Sequence, residues 1–239
     1  EYQSLADERI QVTLRFEPAE AIFVVFRDAL QHASSSSYRS RDVFEKIHFS
    51  NPWNVSFNGS GAPADVTLTQ LVDLSKHKDD LVKYFSGTIV YRNSVETSDL
   101  KENTKAFLDL GQVEVAAKVF VNDNLVGTLW KRPYRLDVTD YLKAGENMIR
   151  VEVANLWVNR VIGDQKLPED SEWIDFTGLT TARGMGLSRI ADWVKEGKES
   201  PTGRKAFVSW KWEHLEDKEP VPSGLIGPVQ IQIETFQKE

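Results

Sequence analysis

Residues 112–164 read QVEVAAKVFVNDNLVGTLWKRPYRLDVTDYLKAGENMIRVEVANLWVNRVIGD, and this stretch decides the fold. Its apolar residues first recur at every second position, at Val113, Val115, Ala117, Val119 and Val121. A period of two places them on the buried face of a β-strand. Asn122-Asp123-Asn124 tolerate positive φ, so the chain can reverse there into a second strand over residues 125–130.

The same pattern returns after a turn at residues 144–147, where Ile149, Val151 and Val153 alternate with Arg150, Glu152 and Ala154. These are the marks of antiparallel strands in a half-buried sheet. Further strands are predicted near residues 55–57, 85–92, 106–111, 206–212 and 229–233, with Val229, Ile231 and Ile233 pointing inward. Many short alternating strands separated by turn residues predict an all-β fold, an antiparallel β-sandwich.

Two parts of the chain depart from this regular pattern. Residues 10–16 and 21–26 read as a β-hairpin, with Ile10, Val12, Leu14 and Phe16 on one face, and a serine-rich linker follows over 31–41. Residues 161–205 break the strand pattern and predict a long irregular insertion, with one short helix over 187–196.

Composition excludes several classes of function. The formal net charge of −7 argues against a nucleic-acid partner, which would require a basic face. No apolar run approaches the roughly 20 residues that span a bilayer, so no membrane insertion is expected. The chain has no cysteine, which excludes disulfides and thiolate chemistry. It begins with Glu1 and shows no signal peptide, so we expect it to be part of a longer product.

One run, VFVNDNLVGTLWKRPYRLDVTDYLKAGENMIRVEVAN, resembles the sugar-binding, galactose-binding-like jelly-roll domain of family 2-type glycoside hydrolases. The matching positions are Val121-Asn122, Gly127, Trp130, Tyr134, Asp137-Val138-Thr139, Leu142, Gly145-Glu146-Asn147 and Val151-Glu152-Val153. The segments PWNVSF (52–57), KYFSGTIVYR (83–92), NLWVNRVIGD (155–164) and PSGLIGPVQI (222–231) resemble the C-terminal region of bacterial α-L-rhamnosidase-like hydrolases of family 106.

The resemblance implies a non-catalytic accessory domain of a glycoside hydrolase that degrades plant or other complex polysaccharides. It also implies a boundary near residue 48, with residues 1–48, the hairpin and linker, as a remnant of a preceding domain and residues 49–239 as the sandwich. Its expected partners are an oligosaccharide or polysaccharide and a catalytic barrel domain of the same parent chain. A periplasmic or extracellular bacterial location is expected. Two alternatives stay open, namely a stand-alone carbohydrate-binding or adhesion module and a small hydrolase that uses carboxylates of the insertion.

Candidate carbohydrate-binding residues lie within the opening stretch, at the ends of its predicted strands. A pyranose has one apolar face and a rim of hydroxyl groups, which suit an aromatic platform flanked by planar hydrogen-bonding groups. The candidates are Trp130, Arg132, Tyr134, Asn155, Trp157, Asn159, Arg160 and Asp164. For Trp157 a place in the core or an interdomain seam is favoured over ligand contact. Arg160 and Asp164 could equally form a structural ion pair.

Catalytic and metal sites are not predicted. Glycosidases use two carboxylates about 5 to 10 Å apart. The candidates Asp164, Glu169, Asp170, Glu172 and Asp175 have no spacing that fixes such a pair. The four histidines lack the spacing of a zinc site. No cofactor is expected, although a structural Ca²⁺ would suit the turn carboxylates Asp123, Asp137, Asp140 and Glu146.

Overall fold

The computed structural model describes residues 2–5, 7, 9–12, 14, 16, 21, 23–25, 38–176, 184–211, 215 and 217–238. Its strands in chain order are β1 (Tyr2–Ser4), β2 (Ile10–Val12), β3 (Tyr38–His48), β4 (Trp53–Asn58), β5 (Val66–Leu68), β6 (Thr88–Thr97), β7 (Thr104–Asp109), β8 (Gln112–Glu114), β9 (Ala116–Val121), β10 (Asn124–Leu129), β11 (Arg135–Asp137), β12 (Gly145–Ala154), β13 (Trp173–Asp175), β14 (Met185–Leu187), β15 (Trp210–Lys211), β16 (Gly224–Gly227) and β17 (Gln230–Lys238). Its α-helices are α1 (Asp80–Lys83), α2 (Val158–Gln165) and α3 (Asp192–Lys195). Two short 3₁₀ turns lie at Leu74–Lys76 and Thr139–Tyr141.

Two antiparallel sheets form the body of the protein. The larger has six strands in the order β10-β9-β12-β6-β4-β5, and the smaller has four in the order β11-β7-β17-β3. Three small sheets, β8 with β16, β13-β14-β15, and β1 with β2, complete the described strands. All strand pairings are antiparallel. The prediction of an all-β antiparallel sandwich is confirmed.

The core lies between the two sheets. From the six-stranded sheet it takes the alternating residues of β9 and β12, among them Val119, Val121, Ile149, Val151 and Val153, which are almost fully buried. From the four-stranded sheet it takes Ala106, Leu108, Ile231 and Ile233. The period of two predicted this burial correctly for β9, β12 and β17, because residues at alternate positions face the same side of a strand.

The predicted strand over 113–121 is continuous in the sequence pattern but divided in the structure. It breaks at Val115, so that β9 stays in the six-stranded sheet while β8 pairs with β16. The Val115 backbone N–H donates to Ala154 O at 3.2 Å, and its carbonyl accepts from the Tyr134 hydroxyl. Both halves keep the alternation, so the pattern could not reveal that the strand changes partners.

A buried polar network joins the turns at the ends of β9, β12 and β6. Asn122 and Asp123 have positive φ angles of 49° and 65°, as predicted for the turn between β9 and β10. Asn147, fully buried, donates to Thr97 Oγ1, Lys143 O and Gly145 O at 2.8 to 3.0 Å. Its Oδ1 accepts from the Lys143 N–H and from Asn122 Nδ2. Asn122 and Asn147, two positions that match the family signature, thus connect the turn after β9 to the turn before β12.

The N-terminal predictions differ from the structure in two respects. Strand β2 pairs with β1, and the described residues among 21–25 lie outside any strand, so the predicted hairpin is wrong there. Ile10, Leu14 and Phe16 are exposed because no described element covers that face. The second difference concerns β3, which lies before the boundary predicted near residue 48 and yet pairs with β17 as an edge of the four-stranded sheet. Most of the serine-rich linker lies outside the described residues.

The insertion contains less regular structure than predicted. Leu187 ends β14, and only Asp192–Lys195 is helical, so the predicted helix over 187–196 is too long. The strand predicted over 206–212 is reduced to Trp210–Lys211, and Trp212 lies outside the described residues. No helix in the described part of the chain is both long enough and apolar enough to cross a membrane.

A hydroxyl in the core holds the strand that returns from the insertion. Tyr91 on β6 is fully buried, and its hydroxyl accepts the Leu225 backbone N–H at 3.0 Å. Burial raises the pKa of Tyr91 above its usual value, so the phenol stays protonated. Gly224 has a φ of +87°, and a Cβ there would lie 2.3 Å from the Tyr91 oxygen. Only glycine fits this approach.

Replacing Tyr91 with phenylalanine should therefore lower the free energy of unfolding by about 1–3 kcal/mol, because it leaves a buried N–H without an acceptor. Urea denaturation of the variant measures the effect. Tyr141→Phe is the matched control, since no hydrogen bond of the Tyr141 hydroxyl is found among the described residues. An equal loss in both variants would contradict this role for Tyr91.

Candidate functional site

The predicted site residues collect at one end of the sandwich. Leu129 of β10 pairs with Ala117, and Ala154 of β12 pairs with Ala116 and Thr88. The segments that follow β10 and β12 therefore leave the sheet at the same end. The four-stranded sheet contributes the segment after β7, where the Leu110 N–H donates to Tyr134 O at 2.8 Å. We call residues 110–115, 130–134 and 155–165 the loop end.

Trp130, Arg132 and Trp157 are the predicted residues whose side chains are exposed. Trp130 is 70% exposed and Trp157 is 55% exposed. One strand separates β10 from β12, so these strand ends are about 10 Å apart, or two strand spacings. Trp130 follows the end of β10 by one residue and Trp157 follows the end of β12 by three, so both exposed indoles lie on segments that leave the same end of the sheet. This exposure shows that Trp157 is not a core residue of this chain, and its place in an interdomain seam stays a prediction.

A shallow cavity lies beside Arg132. Its volume is about 260 Å³, close to the lower end of the roughly 300–1,000 Å³ typical of small-molecule sites. It is lined by Asp109, Gly111, Gln112, Arg132, Tyr134 and Gly227. A Cβ on Gly111 would lie 2.5 Å from the carbonyl of Gly227, so the two backbones touch and form part of the wall. The cavity is large enough for one small polar group or ring.

Tyr134 supports the loop end from inside. It is 7% exposed, and its hydroxyl donates to Val115 O at 2.7 Å. Burial raises the pKa of Tyr134, the negative charge of Glu114 raises it further, and Arg132 partly opposes both. The hydroxyl therefore stays protonated and fixes the position of residues 130–134 relative to the break between β8 and β9.

The side chains of Asn155 and Asn159 form hydrogen bonds with the protein backbone. Asn155 Nδ2 donates to Phe85 O at 2.8 Å, and its Oδ1 accepts from the Leu156 N–H. Asn159 is fully buried and makes two bonds with one residue, donating to Val221 O at 2.7 Å and accepting from Val221 N at 2.8 Å. Asn159 therefore ties the start of α2 to the segment that returns from the insertion.

Arg160 and Asp164 form the structural ion pair that the sequence allowed as an alternative. Arg160 Nη1 lies 3.4 Å from Asp164 Oδ1, and both side chains are more than 90% buried. Asp164 Oδ2 accepts the backbone N–H groups of Lys205 and Ala206 at 2.9 and 2.7 Å. Arg160 Nη2 is buried and has no hydrogen-bond partner among the residues that the structure describes. This pair anchors the insertion to α2.

The carboxylates of the insertion are also engaged in internal contacts. Asp170 accepts from the hydroxyls of Ser200, Thr202 and Ser171. Arg204 donates to Leu167 O and Pro168 O and pairs with Glu169. This cluster could not be predicted from the sequence, because its residues form no linear motif in spacing or composition.

The pKa of Glu169 is shifted in the direction opposite to that of a general acid. Partial burial alone would raise its pKa, but hydrogen bonds from Lys211 and Trp173 and the charges of Arg204 and Lys211 outweigh burial and lower it. A general acid in a glycosidase requires a raised pKa. Glu172 is largely exposed and pairs with Arg189 at 3.2 Å.

The turn carboxylates predicted to suit Ca²⁺ are not gathered into one group. No cluster of three or more histidine or carboxylate side chains that could hold a metal occurs in the described ranges. Asp137 uses both oxygens on protein donors, accepting from Thr139 and from Lys105 Nζ at 2.9 Å. These bonds lower the pKa of Asp137 against the raising effect of burial.

A family comparison agrees with the sequence signature. A family model described as glycosyl hydrolase 2 galactose-binding domain-like matches residues 67–224, and the chain belongs to this family. The match includes the whole of the opening stretch and the Asn122–Asn147 turn network. The resemblance inferred from sequence is confirmed.

Particular relatives refine the family assignment. A Formosa agariphila protein named "Putative beta-glucuronidase" is 40% identical over 196 residues, covering 81% of this chain and 16% of that protein. The structure of a rhamnosidase from Novosphingobium sp. PP1Y aligns with a TM-score of 0.58 and 32% identity, covering 88% of this chain and 16% of the rhamnosidase. The chain spans about 16% of the length of each relative.

Proposed function

We propose that this chain is a non-catalytic, carbohydrate-contacting accessory domain of a rhamnosidase-like glycoside hydrolase, with saccharide contact at the loop end. The observation that carries the proposal is the exposure of Trp130, Arg132 and Trp157 on one end of the sandwich. The catalytic barrel expected from the resemblance would be a further domain of the parent chain. The small share of each relative that the chain covers supports a multidomain parent.

The buried predicted residues serve this function by positioning the exposed ones. Tyr134 holds the segment that carries Trp130 and Arg132, while Asn155 fixes the end of β12 immediately before Trp157. Because these side chains satisfy their hydrogen bonds within the protein, the loop end is preorganised. Preorganisation lowers the entropy that binding must offset.

Replacing Trp130 with alanine should weaken saccharide binding at least about tenfold, because burying an aromatic face contributes on the order of 1.5–3 kcal/mol. Isothermal titration calorimetry with oligosaccharides selected on a glycan array measures the loss. Leu125→Ala is the control, since Leu125 is 54% exposed but lies at the opposite end of β10. Unchanged affinity in the Trp130 variant would contradict the proposed site.

A stand-alone carbohydrate-binding module is the second candidate, and it shares the exposed tryptophans. The two candidates differ in their dependence on a catalytic domain. If the chain is an accessory domain, replacing Trp130 should change the turnover of the parent hydrolase. A stand-alone module should instead bind saccharide with full affinity in the absence of a catalytic domain. Hydrolysis of aryl glycosides by this chain alone would instead support the small-hydrolase alternative, and we expect none.

A further inference from the structure

We infer that the cavity beside Arg132 binds one uncharged sugar unit through two neighbouring hydroxyl groups, one donating to the Asp109 carboxylate and the other accepting from the Arg132 guanidinium. The inference rests on the proposed function and specifies the ligand class of the loop end. Its support is a cavity whose wall carries an anion and a cation that do not pair with each other.

The two charged groups face the same cavity without direct contact. Asp109 and Arg132 both line it, and the ion pairs found among the described residues include none between them. Arg160 and Asp164, by contrast, form a buried ion pair at the base of the insertion. A hydroxyl group carries one O–H donor and two acceptor lone pairs. Neighbouring hydroxyls of one ligand can therefore bridge the carboxylate and the guanidinium.

Asp109 is fixed in position and keeps acceptor capacity for a ligand. Its Oδ1 accepts from the Gly111 N–H and its Oδ2 from Gln232 Nε2, both at 2.9 Å. A carboxylate offers about four lone-pair sites, so about two remain. Because both protein donors are neutral, the carboxylate keeps its charge, and hydrogen bonds to a charged acceptor are stronger than neutral ones. Its fixed position lowers the entropy that binding must offset.

The opposite charges on the wall disfavour a ligand with a net charge. An anionic group placed beside Arg132 would also meet the Asp109 carboxylate. It would lie near Glu114 as well, which accepts from the lining residue Gln112 at 3.1 Å. A cationic group would meet the Arg132 guanidinium. Unfavourable charge contacts of this kind give specificity by rejecting the wrong ligand, and sugar hydroxyls meet neither penalty.

The size of the cavity and its apolar neighbour favour a sugar unit. The volume of about 260 Å³ limits the contents to one ring, and the touching backbones of Gly111 and Gly227 close one side. The exposed indole of Trp130, two residues before Arg132, offers apolar surface to the same ligand. A small zwitterion could also satisfy both charges, but it has no apolar face to place against an indole.

The test is an NMR titration of the chain with the methyl glycosides of galactose, glucose and mannose and with their monodeoxy derivatives. We expect at least one parent glycoside to bind. Removing either of two neighbouring hydroxyls from it should weaken binding at least about tenfold, because each bonds to a charged group. Methyl glucuronide should bind more weakly than methyl glucoside, since its carboxylate would meet Asp109.

Matched variants assign the hydroxyl contacts to the two residues. Arg132→Gln and Asp109→Asn should each weaken binding of the parent glycoside at least about tenfold and reduce the difference between it and one of the two deoxy derivatives. Lys131→Gln is the control, because it removes the same charge from the adjacent exposed residue, which does not line the cavity. An equal loss in Lys131→Gln and Arg132→Gln would contradict the assignment.

The outcomes separate the two proposals. Oligosaccharide binding that depends on Trp130, with no methyl glycoside bound or with parent and deoxy sugars bound equally, would overturn the inference and leave the proposed function standing. Tighter binding of the glucuronide than of the glucoside would also overturn the inference. Absence of binding to every saccharide would overturn both.

Discussion

Replacing Asp164 with alanine is expected to lower the free energy of unfolding by about 3–5 kcal/mol, since it leaves the buried Arg160 charge unpaired. The change also removes the acceptor of the Lys205 and Ala206 N–H groups. Because that acceptor joins the insertion to α2, residues 166–211 should become susceptible to limited proteolysis under native conditions. Urea denaturation and mass spectrometry of the cleavage products measure the two effects.

Asp140→Ala is the control, because Asp140 is exposed and its side chain makes no hydrogen bond or ion pair within the described residues. The loss of unfolding free energy in Asp164→Asn should lie between those of Asp164→Ala and Asp140→Ala. The amide oxygen of asparagine can still accept from the backbone, but the negative charge is lost. A loss below about 1 kcal/mol in Asp164→Ala would contradict the anchoring role.

Replacing Asn147 with alanine is expected to lower the free energy of unfolding by about 3 kcal/mol or more, because it leaves part-buried backbone groups of the turn network without hydrogen-bond partners. The Lys143 N–H loses its acceptor Oδ1, and the Gly145 carbonyl loses its donor Nδ2. Asn122 also loses one of its partners, so the β9–β10 turn should loosen along with the turn before β12. Chemical denaturation monitored by tryptophan fluorescence reports the change.

Asn147→Asp separates the two kinds of bond. A carboxylate keeps the acceptor for Lys143 but cannot donate to Thr97, Lys143 and Gly145, so this variant should also be destabilised. Asn58→Ala is the control for an exposed asparagine at a strand end. If Asn147→Ala unfolds at the same urea concentration as Asn58→Ala, the network does not stabilise the fold.

Short-range sequence patterns predicted the parts of the fold that depend only on residues close together in the chain. The alternation over β9 and β12 reflects side chains that face one side of a strand, and positive φ at Asn122 and Asp123 follows from residue type. The break at Val115 and the pairing of β3 with β17 depend on strands far apart in sequence. No periodicity records which partner a strand will choose.

The same distinction applies to the candidate site. Residue type alone grouped Trp130, Arg132 and Asn159 as saccharide contacts, but it could not separate exposed from buried members. Asn159 and Asp164 are buried because α2 packs under the returning insertion, a tertiary arrangement. Saccharide contact stays a prediction. Among the candidates it concerns the exposed residues Trp130, Arg132 and Trp157.

Our central proposal is that saccharide binds beside Trp130 and Trp157 at the loop end, and not beside the insertion carboxylates Glu169, Asp170 and Glu172. The most direct measurement is an NMR titration that follows the indole N–H signals of the 7 tryptophans with a bound oligosaccharide. We expect the signals of Trp130 and Trp157 to shift and those of Trp173 and Trp193 to stay in place. Shifts confined to Trp173 and Trp193 would contradict it.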